Sequence, residues 1–171
     1  GGGGGGGGLS EIGLHWVGGL LAHAEEITAV FARHQQSFLR LEPGHEAPAI
    51  VAWGAANRTA LVRIPDTNDP QDKRVEYRGG DASGSTHLMC SVMLFAGLDG
   101  IKRKLMPGEE TTVNADKLTD EELTKMGLRR LPKTLEECKH ILETSEWLKS
   151  PEILGEHVVH HLCEWKPTNK H

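Results

Sequence analysis

Arg74-Val75-Glu76-Tyr77-Arg78, with Asp81 three positions further on, has the two-residue period of a strand. Side chains on a strand alternate between faces, so Arg74, Glu76 and Arg78 belong to one face and Lys73, Val75 and Tyr77 to the other. A row of Arg, Glu and Arg has two physical readings. It is either a solvated face held together by cross-linked charges, or a polar site in which guanidinium groups hold anions and the carboxylate holds a cation. The neighbouring segments have to decide between them.

Upstream, the polar run 66–73, with Asn68-Asp69-Pro70, reads as a loop leading into this strand. Before it, Ala49 to Gly54 and Thr59 to Pro65 read as two strands joined by the turn formers Ala55-Ala56-Asn57, giving a short antiparallel meander. Gln35 to Pro48 is a loop carrying Arg40, Pro43-Gly44 and Glu46. Ser10 to about Arg33 has a helical stripe of Ile12, Trp16, Leu20, Ala24, Ile27 and Phe31, with Ser10 as N-cap. Gly13, Gly18 and Gly19 weaken that helix, which suggests close packing against another backbone. Gly1 to Gly8 offers nothing to bury and reads as a linker, an added leader or a placeholder rather than a natural chain start. The folded unit is therefore taken as residues 9–171.

Downstream, Thr86 to Lys104 is a helix apolar around most of its circumference, which calls for burial on several sides, and Pro107-Gly108 stops it. Thr119-Asp-Glu-Glu122 and Thr134-Leu-Glu-Glu137 are capping-box patterns, the second opening a helix to about Lys149. Ser150-Pro151 supplies an N-cap and a first-turn proline for a last helix through Trp165. The class implied is α+β: an antiparallel sheet with packed helices and a helical C-terminal part.

A chain of 171 residues is long enough for one sizeable core. Its net charge of −5 argues against nucleic acid or an anionic membrane as the main partner. No apolar run reaches the length of a membrane span, and Cys90, Cys138 and Cys163 are odd in number and far apart, so a reduced, cytoplasmic setting is expected. His157 and His161 lie four apart on the last helix, a spacing able to bind zinc, but no further ligand pair is evident and the bland reading is an exposed face. His15, His23 and His34 read as surface or packing residues rather than ligands.

Several blocks together resemble the C-terminal part of the catalytic domain of a bacterial-type (type I) glutamine synthetase. They are Leu-Ser-Glu-Ile-Gly-Leu-His-Trp-Val-Gly-Gly-Leu-Leu-Ala-His (9–23), Ser-Phe-Leu-Arg-Leu-Glu-Pro-Gly-His-Glu-Ala-Pro (37–48), Asn-Arg-Thr-Ala-Leu-Val-Arg-Ile-Pro (57–65), Arg-Val-Glu-Tyr-Arg (74–78) and Ala-Gly-Leu-Asp-Gly-Ile-Lys (96–102). They stand in the family's order and nearly its spacing. The resemblance implies ATP-dependent ligation of ammonia to glutamate through a γ-glutamyl phosphate, with Mg2+ or Mn2+. It implies that Arg40 holds glutamate and that Glu46 binds ammonium and accepts its proton. Arg58 would contact glutamate and the transferred phosphoryl group, Arg63 and Arg74 the nucleotide phosphates, Glu76 a metal, and Arg78 the substrate carboxylate. Arg58 and Arg63 differ by an odd step, so a bulge or strand end is needed for both to reach one site.

The chain departs from the family pattern after the strand, where Gly79-Gly-Asp-Ala-Ser-Gly-Ser-Thr-His-Leu88 keeps an Asp and a Leu but lacks the family's prolines, Asn and Tyr. Gln71 stands where a basic residue is frequent, and Asp116 where some members carry an adenylylated tyrosine, so regulation by that modification is not expected. Glu76 is the single metal ligand of the family set in this sequence, and the 171 residues alone are expected to be inactive. A homo-oligomeric ring is expected of the full-length form. Two other readings stay open: a γ-glutamyl ligase for another amine, and a non-catalytic truncated relative acting in assembly.

Overall fold

The computed structural model describes residues 9–35, 49–55, 60–65, 74–78 and 87–164. Its first helical run is divided. Helix α1 (Glu11–Ala22) starts at Ser10, whose hydroxyl accepts from the Gly13 N–H, and α2 (Ala24–Gln35) follows directly after His23. Backbone hydrogen bonds still cross the joint, from His23 N–H to Gly19 O at 3.1 Å and from Ile27 N–H to His23 O at 2.9 Å. The single helix expected over 10–33 is thus interrupted rather than ended. The interruption is at His23 itself, whose φ of −106° and ψ of 16° leave the helical region, while α1 is held by close contact with a neighbouring helix and His23 by carboxylates.

That neighbour is α3 (His87–Arg103). A methyl on Gly18 would lie 2.5 Å from the Leu105 carbonyl oxygen, one on Gly19 would overlap the Ala96 carbonyl, and one on Gly100 would overlap the His15 carbonyl. The two backbones meet because four side chains are missing: Gly97 makes room for the Trp16 ring in the same way. Gly18 and Gly19 therefore do what their helix-breaking cost suggested, whereas Gly13 meets only Leu9 and Ser10 at ordinary separations. His15 is buried in this seam, with Nδ1 2.9 Å from the Leu105 carbonyl.

Helix α3 stops before Pro107. Lys104 takes φ +54°, its N–H donates to Ile101 O at 3.3 Å and the Leu105 N–H donates to Gly100 O at 2.9 Å. This is the Schellman pattern of helix termination, here with lysine in the left-handed position usually given to glycine.

Among the described residues, five short strands form two sheets. Strands β2 (Trp53–Ala55), β3 (Val62–Ile64) and β4 (Glu76–Tyr77) make one, in that order, and β1 (Ile50–Val51) pairs antiparallel with β5 (Arg129–Arg130) in the other. The run expected as one strand over 49–54 is thus split between sheets. Its alternation explains the split: Ile50 and Ala52 enter a small cluster with Ala115 and Leu123, while Val51 and Trp53 enter the main core. β3 and β4 are antiparallel as expected, but β2 and β3 are parallel, with Trp53 opposite Val62 and Ala55 opposite Ile64. The meander is corrected there. A three-residue strand is only about 10 Å long, so the return that a parallel pair requires is short.

In the C-terminal part, Thr119 and Glu122 form the expected capping box at the head of α4 (Asp120–Lys125). Thr134 caps α5 (Leu135–Thr144), accepting from the Glu137 N–H at 3.1 Å, while Glu137 reaches back to the Lys133 N–H at 2.8 Å. The helix expected to reach Lys149 breaks at Ser145, whose hydroxyl caps a further turn, α6 (Glu146–Lys149). Ser150-Pro151 opens a turn instead of a helix, and the last helix, α7 (Glu156–Glu164), follows Gly155 at φ +83°. α1 packs on α3, and α2 packs on α5 and reaches α7. The buried Arg33 of α2 donates from Nε to Leu162 O and from Nη2 to Cys163 O, both at 2.7 Å, and so satisfies carbonyls at the end of α7. The α+β class with a helical C-terminal part stands.

Candidate anion-binding site

Val62 and Ile64 are fully buried in the main core, so alternation turns Arg63 of β3 to the opposite face of the sheet. The antiparallel register sets Arg63 directly across from Glu76 and Val62 across from Tyr77. Val75 and Tyr77 pack against the core, as the strand period required. The Tyr77 hydroxyl is buried facing Thr28 of α2, and that burial, with the Glu25 charge nearby, pushes its pKa above the ordinary value although Thr28 opposes the shift.

On the polar face, Glu76 sits between two arginines. Arg74 Nε donates to Glu76 Oε1 at 3.2 Å, and Arg63 Nη1 lies 3.6 Å from Glu76 Oε2. The arginine side chains differ in exposure, 62% for Arg74 against 30% for Arg63, so Arg74 is a rim residue and Arg63 belongs to the interior of the face. Arg78 continues the strand by donating its N–H to Leu61 O at 2.8 Å. Its Nη1, and Nε of Arg63, are buried without a hydrogen-bond partner among the described residues. A buried guanidinium N–H without an acceptor is costly, by roughly 1–3 kcal/mol or more for a charged group. Among the described residues, three cations against one carboxylate leave the face positive. Two orphaned donors on such a face fit an anion with several oxygens, such as a phosphate or a carboxylate.

The same face does not by itself fit a metal ion. Among the described residues, Glu76 is its one carboxylate and is already engaged by Arg63 and Arg74, and no group of three or more His, Cys, Asp or Glu able to hold a metal occurs there. Of the residues expected to form the site, Arg63, Arg74 and Glu76 are thus brought together, and strand alternation puts Arg78 on the same face as Arg74 and Glu76. Arg40, Glu46 and Arg58 lie outside the described residues, as do Gly1 to Gly8, Gln71, Asp81 and Trp165. His157 and His161 are exposed on α7, as expected of a solvent face. His15 and His34 are a packing residue and a surface residue.

His23 is more than a packing residue. It is buried at the α1–α2 joint with Nδ1 2.7 Å from Glu26 Oε1 and Nε2 2.7 Å from Asp99 Oδ2. Its i+3 spacing to Glu26 is visible in the sequence. The contact with Asp99, 76 positions away, is not.

The sequence profile of the family described as "Glutamine synthetase, catalytic domain" matches residues 2–170. The chain is 43% identical over 162 residues to a glutamine synthetase of Methanosarcina mazei, covering 92% of this chain and 36% of that protein. It is 38% identical over 153 residues to one of Helicobacter pylori, covering 89% of this chain and 32% of the relative. Among solved structures it resembles a GmaS–ADP complex with a TM-score of 0.71 at 30% identity, over 94% of this chain and 36% of that one. Apo GmaS gives a TM-score of 0.68 over 92% of this chain and 34% of the other. The chain spans about a third of the length of the relatives it matches.

Proposed function

The chain belongs to the glutamine synthetase catalytic-domain family, and on that premise we propose that its β3–β4 face is the anion-holding wall of an ATP-dependent glutamate–ammonia ligase. The observation that carries the reading is the pair of donors, Arg63 Nε and Arg78 Nη1, buried and without a partner among the described residues. Ligation through a γ-glutamyl phosphate gathers nucleotide phosphates and a substrate carboxylate in one place, and fixed guanidinium groups stabilise that charge without reorganising. Arg63 and Arg74 take the nucleotide phosphates, and Arg78 the glutamate carboxylate. By position in the family pattern, Arg40 also holds glutamate, Arg58 bridges glutamate and the transferred phosphoryl group, and Glu46 accepts the ammonium proton. Glu76 orients Arg63 and Arg74 and would be one ligand of a divalent metal, Mg2+ or Mn2+, with its other ligands outside the described residues.

The finer assignments are the bacterial type I subgroup, ammonia as the amine, a cytoplasmic setting and a homo-oligomeric ring in the complete protein. The ordered sequence blocks support the first, and relatives named glutamine synthetase support the second. Cys90, Cys138 and Cys163 are free thiols, as a reducing compartment requires, and among the described residues no helix is long and apolar enough to cross a membrane. One third of a relative's length holds one wall of the site, so turnover by these 171 residues alone is not expected.

Calorimetric titration of the chain with ADP tests the wall directly. Arg63→Gln and Arg78→Gln each remove a buried charged donor, and loss of one such bond corresponds to about 1.5–3 kcal/mol, or roughly tenfold or more in affinity. ADP affinity equal to wild type in Arg63→Gln overturns the nucleotide assignment. Arg78→Gln is read in the complete protein as a rise in KM for glutamate, and an unchanged KM removes it from the substrate site.

A further inference from the structure

His23 joins three parts of the molecule. Its ring contacts Glu26 of α2 through Nδ1 and Asp99 of α3 through Nε2, and it stacks on Trp147 of α6 with centroids 3.7 Å apart and planes at 17°. Beyond these, Glu26 Oε2 accepts from the Ser145 hydroxyl, and Asp99 is held by Arg103, which donates from Nη2 at 2.6 Å. Ser145 Oγ in turn accepts from the Leu148 N–H at 3.1 Å and so caps α6. The charged groups facing the ring are therefore Glu26 from α2 and Asp99 with Arg103 from α3, while Ser145 and Trp147 close it from the α5–α6 turn.

Proton counting decides what the ring must be. A neutral imidazole has one N–H donor and one acceptor, and an ionised carboxylate only accepts. Two ring nitrogens each 2.7 Å from a carboxylate oxygen therefore need both nitrogens protonated.

We infer that His23 is a protonation-dependent latch, which as imidazolium fixes the α1–α2 joint to α3 and to the α6 turn and which, on losing a proton, releases the Glu26–Ser145 arm. Burial of the ring opposes its charge, but hydrogen bonds to Glu26 and Asp99 and their charges outweigh it, holding the pKa above the ordinary 6.5. Because the folded value is the higher one, the stabilisation is complete below the unfolded pKa and is lost as pH rises through the folded one. The arm on Glu26 is the one to open, because Asp99 stays neutralised by Arg103 while Glu26, among the described residues, has the Ser145 hydroxyl as its other partner.

The test uses the full chain with 15N-labelled histidine. The expected result is a His23 ring protonated on both nitrogens at pH 6, titrating with a midpoint above 6.5. A ring neutral at pH 6, which would put the shared proton on Glu26, overturns the inference. Indole emission should rise across the same midpoint as the stacked cation is discharged, and that step should be absent in Trp147→Phe; a step that survives the substitution counts against the latch. After correction for intrinsic base catalysis, amide protection over 146–149 should fall above the midpoint, by about tenfold for each unit separating the folded and unfolded pKa. Unchanged protection there overturns the release step. His23→Gln should abolish all three transitions. Should His23→Gln not fold, Ser145→Ala keeps the ring titration and removes the pH dependence of protection over 146–149; a pH dependence that persists counts against the latch.

Discussion

Lys104 shows how one residue carries the cost of a helix ending. Its φ of +54° is a conformation in which a Cβ crowds the following carbonyl, at a cost of about 1–2 kcal/mol for a non-glycine residue. The two Schellman hydrogen bonds on either side of it hold the conformation in place. Its side chain is exposed, so Lys104→Gly should remove the strain without opening a cavity. Urea unfolding should give a gain of about 1 kcal/mol, reduced by the extra backbone entropy of glycine in the unfolded chain. A loss would mean that the lysine ammonium makes a compensating contact at the end of α3. The sequence motif Pro107-Gly108 pointed to a stop in this region, but the stop is made three residues earlier by backbone hydrogen bonds that no residue type there announces. Arg63 and Arg78 are the opposite case: strand period put Arg78 on the face of Arg74 and Glu76, the family resemblance pointed to Arg63, and the structure adds that their donors are buried and unpartnered among the described residues.

The α1–α3 pair is the element on which the helical half rests. Glycine in a helix interior is destabilising by roughly 0.5–1 kcal/mol relative to alanine, so Gly19→Ala would strengthen an isolated α1. Here the added methyl would overlap the Ala96 carbonyl and the Gly100 backbone, neither of which swings aside as a flexible side chain does. Steric overlap wins: Gly19→Ala should destabilise the chain by about 3 kcal/mol in denaturant unfolding, with Gly13→Ala neutral or stabilising as the internal control. Equal effects of the two substitutions would show that the close approach does not matter. Element boundaries follow the same logic. The capping box at Thr119 is a local device and formed as its spacing required, whereas the breaks at His23 and Ser145 depend on side chains that reach across to Asp99 and Glu26.

At the scale of the whole molecule, the main core gathers residues from α1, α2 and α3, from β2 and β3, and from α5, α6 and α7, so most of the described chain opens together or not at all. The thiols report on that cooperativity. Cys138 is buried in the core and Cys163 nearly so, and burial, with Glu137 nearby and Arg33 opposing, pushes the Cys138 pKa up to about 12; burial likewise raises Cys163. At pH 8 an aromatic disulfide reagent should label exposed Cys90 promptly, while Cys138 reacts only at the rate of global opening and becomes accessible together with loss of helical circular dichroism. Fast labelling of Cys138 in the folded protein would show local opening of α5. What the sequence determined by itself was set by neighbours along the chain: helical and strand periods, the caps at Ser10, Thr119 and Thr134, the α+β class, and the alternation that puts Arg74 and Glu76 on one face. What only the tertiary structure decided was everything that depends on which segments meet. It set the parallel pairing of β2 with β3, the division of 49–54 between two sheets, and the His23–Asp99 contact. The physical reason is range. Backbone sterics and capping act over three or four residues, but burial and charge pairing act through space, and the distance along the chain from His23 to Asp99 leaves no mark on either residue's neighbours.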